Sequence, residues 1–390
     1  MDPVRIGIVG LGNMGSSHVR DFTASELVEL TAVCDVDAER LASVGADLDL
    51  ARFEKVEQMM DSGTIEAIMI ATPHYDHTPI AISAMKRGIH VLCEKPVGVH
   101  VEDVQKMIDA YEAARAKFPG LQFGAMFQQR THTFWQKIKE MIDSGQLGKL
   151  VRATWIITNW FRTQYYYDTG SWRATWKGEG GGVLLNQCPH NLDLYQWFFG
   201  VPQTVTGILE LGKYHDIEVE DEVTAVFRHE NGMIGHFITT TAEAPGTNRL
   251  EIAGEHGKLV YEDDKLFFDR NEISMFDELA NSKQGFSRPN HAIEEVPLPE
   301  ERGGRHVQVT EAFARAIREG TPLVAAAPEG IGSVALANGI LMSHFTGKPV
   351  DLPLDAAAYA QMLQGLIKNS TFKKRDVAAD GPADLKGSFA

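Results

Sequence analysis

An apolar run, Val4 to Val9, leads straight into Gly10-Leu11-Gly12-Asn13-Met14-Gly15, and no other stretch constrains the fold of this chain as strongly. The run predicts a buried strand, and Ser16 to Phe22 predicts a helix, so the order is strand, glycine turn, helix. The first glycine allows a tight turn, the second lets the backbone approach a pyrophosphate, and the third lets helix pack on strand. The helix N-terminus then turns its free amides and positive dipole end toward the phosphates. A second strand, Val28 to Cys34, ends in Asp35, 20 residues past Gly15, where a carboxylate accepts hydrogen bonds from ribose hydroxyls. Strand, turn, helix and acid in register predict a dinucleotide site, with Gly10, Gly12, Asn13, Met14 and Gly15 at the phosphates and Asp35 at the ribose. The alternative reading of Asp35 is an ordinary acid at a strand end. The acid favours NAD over NADP, because a 2′-phosphate would meet like charge there, although Arg40 follows within a few residues.

At 390 residues the chain is long for one core, so two domains are expected. The formal net charge of −16 opposes non-specific contact with nucleic acid. No uninterrupted apolar stretch is long enough to span a bilayer, and Met1 leads at once into a strand, so no membrane span or signal peptide is expected. Cys34, Cys93 and Cys188 form no CxxC pair and read as reduced thiols, which points to the cytoplasm. Cys188 stands beside a candidate active-site histidine, within reach of thiol reagents on this reading.

The first third alternates strands and helices. Strands are expected at Ile65–Ala71, His90–Cys93 and Leu121–Phe127, and helices at Val56–Asp61, Thr78–Arg87 and Glu102–Lys117, with Gly88 closing the second helix. This alternation predicts a parallel sheet with right-handed crossovers. Beyond about residue 125 the character changes. A helix at Phe134–Ser144 precedes strand-like runs at Leu150–Thr158, Thr204–Leu211, Val223–His229, Gly232–Thr241, Leu250–Ala253 and Lys258–Tyr261. Short turns such as Glu230-Asn231-Gly232 join them, so a mostly antiparallel sheet is expected. Helices return at Glu311–Glu319 and Gly330–Phe345. The expected division is a nucleotide-binding domain over 1–124, a substrate and oligomerisation domain over 125–370 with helices near 311–345 packing back on the first domain, and a loose tail over 371–390.

Two segments carry candidate chemistry. Glu94-Lys95-Pro96 follows a strand end, where open α/β sheets bind ligands. A partly desolvated lysine there exchanges protons more readily, and Glu94 pulls its pKa the other way. A solvated Glu-Lys pair before a proline turn is an equal reading. The second segment is Gly180-Gly181-Gly182-Val183-Leu184-Leu185-Asn186-Gln187-Cys188-Pro189-His190-Asn191-Leu192-Asp193. Its glycines permit a close backbone approach, to nicotinamide or substrate. If Val183 to Phe199 is helical, Asn186 and His190 share a face and Asp193 orients the imidazole, although Pro189 requires a kink or a helix start near Cys188. A neutral histidine takes a proton from a hydroxyl as hydride leaves the same carbon. Just upstream, Trp160, Arg162, Tyr165-Tyr166-Tyr167, Trp172, Arg173 and Trp176 form an aromatic and cationic segment suited to stacking on sugar faces and bonding hydroxyls. A core or interface patch is the other reading of it. Thr72, Pro73, His74 and His77 read as cofactor-loop contacts in preference to a metal site, with Glu94 and Lys95 beside them. His18 reads as structural.

Together these motifs resemble the Gfo/Idh/MocA oxidoreductase family: GLGNMG at Gly10–Gly15, ATPHYDH at Ala71–His77, HVLCEKP at His90–Pro96, GGGVLLNQCPHNLD at Gly180–Asp193 and GKPVDLP at Gly347–Pro353. The resemblance runs from about residue 4 to about residue 353. It implies an α/β protein with an N-terminal Rossmann domain and a C-terminal α/β domain whose open, mostly antiparallel sheet makes homodimers or homotetramers. It implies NAD-dependent hydride transfer at a secondary hydroxyl of a sugar, glycoside or cyclitol, with Lys95 holding the hydroxyl and sharing its proton and His190 as acid/base or close relay. Arg130 would be a substrate contact, together with Lys95, Trp160, Arg162, Tyr165, Trp172, Arg173, Asn186 and His190. Two departures stand out. Many members carry Asp where this chain has Asn186, and Asn is common where it has Gln128; an amide cannot accept the proton. The long aromatic loop suggests a glycoside or bulky sugar oxidised at C3. Redox-neutral glycoside cleavage or epimerisation through a keto-sugar is the alternative. Lys95 and His190 together argue for an enzyme over an NAD(H) sensor or scaffold.

Overall fold

The computed structural model describes residues 1–170, 172–375 and 377, so most of the tail expected over 371–390 lies outside the described residues. Six parallel strands come first: β1 (Val4–Val9), β2 (Val28–Cys34), β3 (Ala51–Phe53), β4 (Ala67–Ile70), β5 (His90–Cys93) and β6 (Phe123–Ala125). Their order across the sheet is β3-β2-β1-β4-β5-β6. The helices between them are α1 (Asn13–Thr23), α2 (Ala38–Ser43), α3 (Val56–Asp61), α4 (His74–Lys86) and α5 (Val101–Arg115). β4 is buried at all four positions, as a strand covered on both faces by helices must be. α1 buries Gly15, His18, Val19 and Phe22, the i, i+3, i+4, i+7 stripe that faces a sheet. Strand order reverses between β1 and β4, which makes the gap beyond their carboxyl ends the crevice of the sheet. Gly10 has φ +87°, and a Cβ on it would stand 2.7 Å from the Ala71 carbonyl oxygen. The turns that leave the two strands therefore touch.

α4 begins at His74, four residues before the expected Thr78, and carries Pro79 inside it. The expectation put the proline at the first helical turn, where it usually sits. In the structure Pro73 occupies the N-cap instead, so Pro79 falls in the second turn.

The remaining helices are α6 (Thr133–Asp143), α7 (Gln164–Asp168), α8 (Pro189–Phe199), α9 (Met275–Asn281), α10 (His306–Glu319), α11 (Ile331–Thr346) and α12 (Ala356–Asn369). The second sheet contains β7 (Leu150–Ile157), β8 (Thr204–Leu211), β9 (Glu220–Arg228), β10 (Ile234–Thr240), β11 (Asn248–Gly254), β12 (Gly257–Glu262), β13 (Lys265–Asn271), β14 (His291–Glu295) and β15 (Val350–Asp351). Its order is β14-β13-β12-β11-β7-β10-β9-β8-β15, antiparallel throughout except between β7 and β10. β14 was not legible in the sequence because all five of its residues are exposed, leaving no alternation to read.

Several contacts join the layers, two of them through α10 and α11. Val309, Phe313 and Ala314 of α10 pack in one apolar cluster with Val4, Ile6, Ile8 and Phe22. Asn338 of α11, fully buried, accepts from Val101 N at 3.1 Å and donates to the Val99 carbonyl at 3.2 Å, so it holds the start of α5. Among the described residues no helix is long and apolar enough to cross a membrane.

α8 docks on the second sheet through Tyr195, whose hydroxyl bonds His229 Nε2 at 2.9 Å. A Cβ on Gly235 of β10 would run into that hydroxyl. Gly235→Ala is expected to cost about 1–3 kcal/mol in urea unfolding, the usual penalty for overpacking a core; an unchanged midpoint would show that Tyr195 yields freely.

Candidate active site

The glycine turn has the features of a dinucleotide cradle. A Cβ on Gly15 would strike the Gly10 carbonyl, so helix and turn close on each other, while a Cβ on Gly12 would meet no atom within 4 Å. Space thus lies open beside the first amides of α1, whose first turn carries no acid to oppose an anion. Asp35, 6% exposed, accepts from Leu11 N at 2.6 Å through Oδ2 and from Asp37 N at 2.8 Å through Oδ1. A carboxylate has room for further donors beyond these two. Arg40 Nη1 lies 3.7 Å from Oδ2, so a cation does stand near the acid.

The Lys95 turn is fixed from below. His18 Nε2 and Glu94 Oε1 lie 2.7 Å apart, with His18 fully buried and Glu94 5% exposed. Glu94 Oε2 accepts from Lys95 N at 3.0 Å. Burial alone would raise the Glu94 pKa, but the His18 bond and the nearby His306 and Lys95 charges carry it down to about 2. Glu94 therefore braces the turn and does not face the cleft. His77 is likewise removed from cofactor contact: it is fully buried, with Nδ1 at 2.9 Å from the Pro96 carbonyl and Nε2 at 3.0 Å from the Thr72 carbonyl. It sits between the turn after β4 and the turn after β5 and, as a neutral imidazole, donates its single N–H to one of the two carbonyls. Thr72 and Pro73 do lie at the crevice, at the end of β4 and the start of α4. His74, 5% exposed, sets its ring edge-on against Trp172 at 5.0 Å and its Nδ1 at 3.4 Å from the Glu179 carbonyl.

Lys95 Nζ crosses to the second domain and donates to the Asn186 carbonyl at 2.7 Å. Residues 180–188 are turns, and α8 starts at Pro189, so Asn186 and His190 do not share a helix face. Pro189 supplies the N1 residue, as its missing N–H favours. The three glycines pack against protein: a Cβ on Gly180 would strike Val99, and one on Gly182 the Glu220 carbonyl. They let the loop lie on its neighbours and are not reserved for nicotinamide. Cys188 is fully buried, and burial pushes its thiol up to about 12, so it is closed to thiol reagents.

His190 is 5% exposed, and burial together with the Lys95 charge holds its pKa well below the ordinary value, so it is neutral. Its ring partner is Gln128, whose Nε2 lies 3.3 Å from His190 Nε2. Asp193 does not orient it. Arg130 grips Asp193 with two bonds, Nε to Oδ2 at 2.8 Å and Nη2 to Oδ1 at 2.7 Å, and bonds Glu329 at 2.6 Å through Nη1. Arg130 is 3% exposed and spent on this pair, which rules it out as a substrate contact in this arrangement. Burial would lower its pKa, but Asp193 and Glu329 more than offset that.

The aromatic segment divides. Arg162 and Arg173 both stack on Tyr166, with guanidinium carbons 5.3 and 4.9 Å from its centroid, and they reach on to Trp160 and Trp172 at 5.7 and 5.3 Å. Tyr166 OH donates to Asn186 Oδ1 at 3.1 Å. The expected Tyr165 is 48% exposed instead, because the short helix α7 turns adjacent side chains apart. Trp176 is core, 4% exposed. Sequence reasoning missed Glu179, 1% exposed, whose Oε1 accepts from Asn186 Nδ2 and whose Oε2 accepts from Ala174 N at 2.7 Å. A lone Glu before three glycines carries no signal in one sequence. Around this cluster several buried polar atoms have no partner among the described residues: Thr72 Oγ1, Gln128 Oε1, Trp160 Nε1, Arg173 Nε, Gln187 Oε1 and His190 Nδ1. Among the described residues no group of three or more His, Cys, Asp or Glu is placed to hold a metal ion.

Residues 4–118 match the oxidoreductase family model with an NAD-binding Rossmann fold, and residues 135–260 match the GFO/IDH/MocA C-terminal domain. The chain belongs to the Gfo/Idh/MocA oxidoreductase family. It is 32% identical over 205 residues to the rhizopine catabolism protein MocA of Rhizobium meliloti, a match covering 52% of this chain and 60% of that protein. It is 25% identical over 403 residues to the levoglucosan dehydrogenase of Pseudarthrobacter phenanthrenivorans, covering 90% of this chain and 99% of that one. The crystal structure of the WlbA dehydrogenase from Bordetella pertussis in complex with NADH and UDP-GlcNAcA superposes with a TM-score of 0.75 at 26% identity, covering 90% of this chain and all of that one.

The Glu94 brace has a pH signature. Its carboxyl titrates at about 2 in the folded chain against an ordinary 4.5, so the unfolded state binds the proton first as pH falls. The stabilisation is complete above about pH 4.5 and is lost as pH falls toward 2. Glu94→Gln is expected to cost about 3 kcal/mol near neutral pH, with parent and variant converging below pH 4.5 in urea titrations; a gap independent of pH would refute the assignment.

Proposed function

We propose that this chain is an NAD-dependent oxidoreductase that moves hydride between nicotinamide and a secondary hydroxyl of a sugar, glycoside or cyclitol, with C3 of a glycosyl unit as the favoured position. The observation that carries the reading is the meeting of Lys95 Nζ, held 2.7 Å from the Asn186 carbonyl, with a buried neutral His190. The unpartnered polar atoms around them support a ligand with several hydroxyls, since buried polar groups need partners. Aromatic rings at Trp160 and Trp172 suit the C–H faces of a sugar ring. The names of the levoglucosan dehydrogenase and the NADH and nucleotide-sugar complex point the same way. Asp35 supports NAD over NADP. The proposed working unit is a homodimer or homotetramer in the cytoplasm, formed on the open face of the second sheet, with a nucleotide domain over 1–124 and a substrate domain over 125–370.

Bound NAD would accept hydride from the carbinol carbon. Lys95 offers three donors, and the Asn186 carbonyl takes one, which leaves others to hold the substrate hydroxyl. Burial pulls its pKa below the ordinary value while Glu94 and Glu179 oppose that, which brings the lysine closer to sharing a proton. His190 has two states matched by Gln128. With the Gln128 amide N–H on Nε2, the proton sits on Nδ1; with the amide turned over, Oε1 accepts from Nε2–H and Nδ1 is free to take a proton. Asn186 bonds and orients but transfers no proton.

The test is a panel of cyclitols, free sugars and glycosides with NAD⁺, read by reduced-nicotinamide absorbance and product mass together. NADH formation with loss of two hydrogens from the substrate is expected. Cleaved or isomerised product without accumulating NADH would replace this reading with redox-neutral chemistry. Lys95→Met and His190→Ala are each expected to slow the reaction by about 10²–10⁴-fold with NADH affinity retained; full activity in either would sink the mechanism. Asp35→Ala is expected to weaken NAD binding more than NADP binding in direct titrations, and equal effects on both would remove the ribose role.

A further inference from the structure

Lys95 is gripped by a residue that carries no charge. Its ammonium donates to the main-chain carbonyl of Asn186, and the Asn186 side chain is a neutral amide. A carboxylate stands one bond further back. Glu179 accepts from Asn186 Nδ2 through one oxygen and from Ala174 N through the other. An acceptor on that side leaves the amide a single orientation, with NH₂ toward Glu179 and Oδ1 toward Tyr166 OH at 3.1 Å and Gln187 Nε2 at 3.2 Å. The loop that carries Glu179 is held under strain, because Ala174, its other partner, has φ +57°.

The charges around Lys95 explain why a carboxylate is needed there. Arg162 and Arg173 oppose its cation from the aromatic loop, Glu94 and Glu179 favour it, and His74, Cys188, His190 and His306 are further titratable groups within reach. Glu94 is already bonded to His18. Glu179 is the remaining acid, and it lies on the loop side, where both arginines lie. Burial outweighs its partners and raises the Glu179 pKa above the ordinary carboxyl value, while the Ala174 and Asn186 donors and the Arg173 and Lys95 charges favour the ionised form.

We propose that Glu179 is a positioning residue of the active site: by holding the Asn186 side-chain amide it fixes the residue whose carbonyl grips Lys95, and it supplies the negative charge that balances the lysine against Arg162 and Arg173. The role rests on the reading of Lys95 as the group that holds the reacting hydroxyl.

Competitive acetylation of the full-length protein over a pH series, read at the Lys95 peptide by mass spectrometry, measures the lysine's titration without any substrate. Glu179→Gln keeps the shape and removes the charge, and it is expected to move the Lys95 labelling midpoint down by about one pH unit or more. The exchange Glu179→Gln with Asn186→Asp returns a carboxylate to the opposite side of the same bond, and it is expected to bring the midpoint back to within about half a unit of the parent. A role confined to bracing the Ala174 loop would lower the melting temperature and leave the midpoint in place. An unmoved midpoint in a folded Glu179→Gln protein, or an exchange variant no closer to the parent than the single one, overturns the proposal. If Glu179→Gln alone does not fold, the same series is run in an Ala174→Gly background, where glycine accepts the positive φ without strain. Hydride transfer with an unmoved midpoint counts against Glu179 alone, and a moved midpoint with no turnover of any polyol counts against the proposed reaction alone.

Discussion

The buried hydrogen bond between His18 and Glu94 is the contact on which the rest of the site depends. His18 belongs to the helix that the glycine turn opens, and Glu94 belongs to the turn that presents Lys95. One 2.7 Å bond therefore sets the glycine turn and Lys95 at a fixed offset. Inside a protein such a bond is electrostatically stronger than in water, and leaving either group unpaired would cost several times what an exposed pair is worth. His77 stands one strand over between carbonyls of the two turns that flank the crevice, and its single N–H donates to one of them. The parallel sheet brings the strand ends together, and these histidines lock them there.

The loop over 172–188 is built on a different principle. It has little regular structure, so its polar groups are satisfied by side chains drawn from elsewhere. Glu220 on β9, fully buried, accepts from Gly182 N at 2.8 Å and Leu184 N at 3.1 Å. Burial raises that carboxyl to about 7, so the anchor is held at an electrostatic cost that two backbone amides only partly offset. Glu179 performs the equivalent service for Ala174 and Asn186. The glycines permit the close approach that these acids enforce. A loop tied at both ends to a sheet and a helix can present Asn186 and His190 from fixed positions although neither belongs to the same element.

The site was legible where chemistry and chain order coincide. The glycine turn, Asp35 and Lys95 follow strand ends, and the strands announce themselves as apolar runs, so their place at the carboxyl edge follows from the pattern. Long-range pairings left no such trace. Arg130 reads as a free cation in the sequence, and only the fold brings Asp193 and Glu329 to it. Asp193 reads as the partner of His190 at helical spacing, yet the arginine takes it and Gln128 takes the imidazole. Tyr165 and Tyr166 are chemically alike, and the phase of the five-residue helix α7 decides which one reaches Asn186.

The sequence by itself determined the two-sheet architecture, the ligand edge at the carboxyl ends of the parallel strands, and the residue types able to bind a dinucleotide and move a proton. Those follow from local periodicity, glycine spacing and the chemistry of single side chains. The tertiary structure alone decided which polar groups are spent on one another and which are left for a ligand. That division depends on burial and on contacts between residues dozens or hundreds of positions apart, where the gain of pairing a charge or leaving it free is set by neighbours that no local pattern specifies.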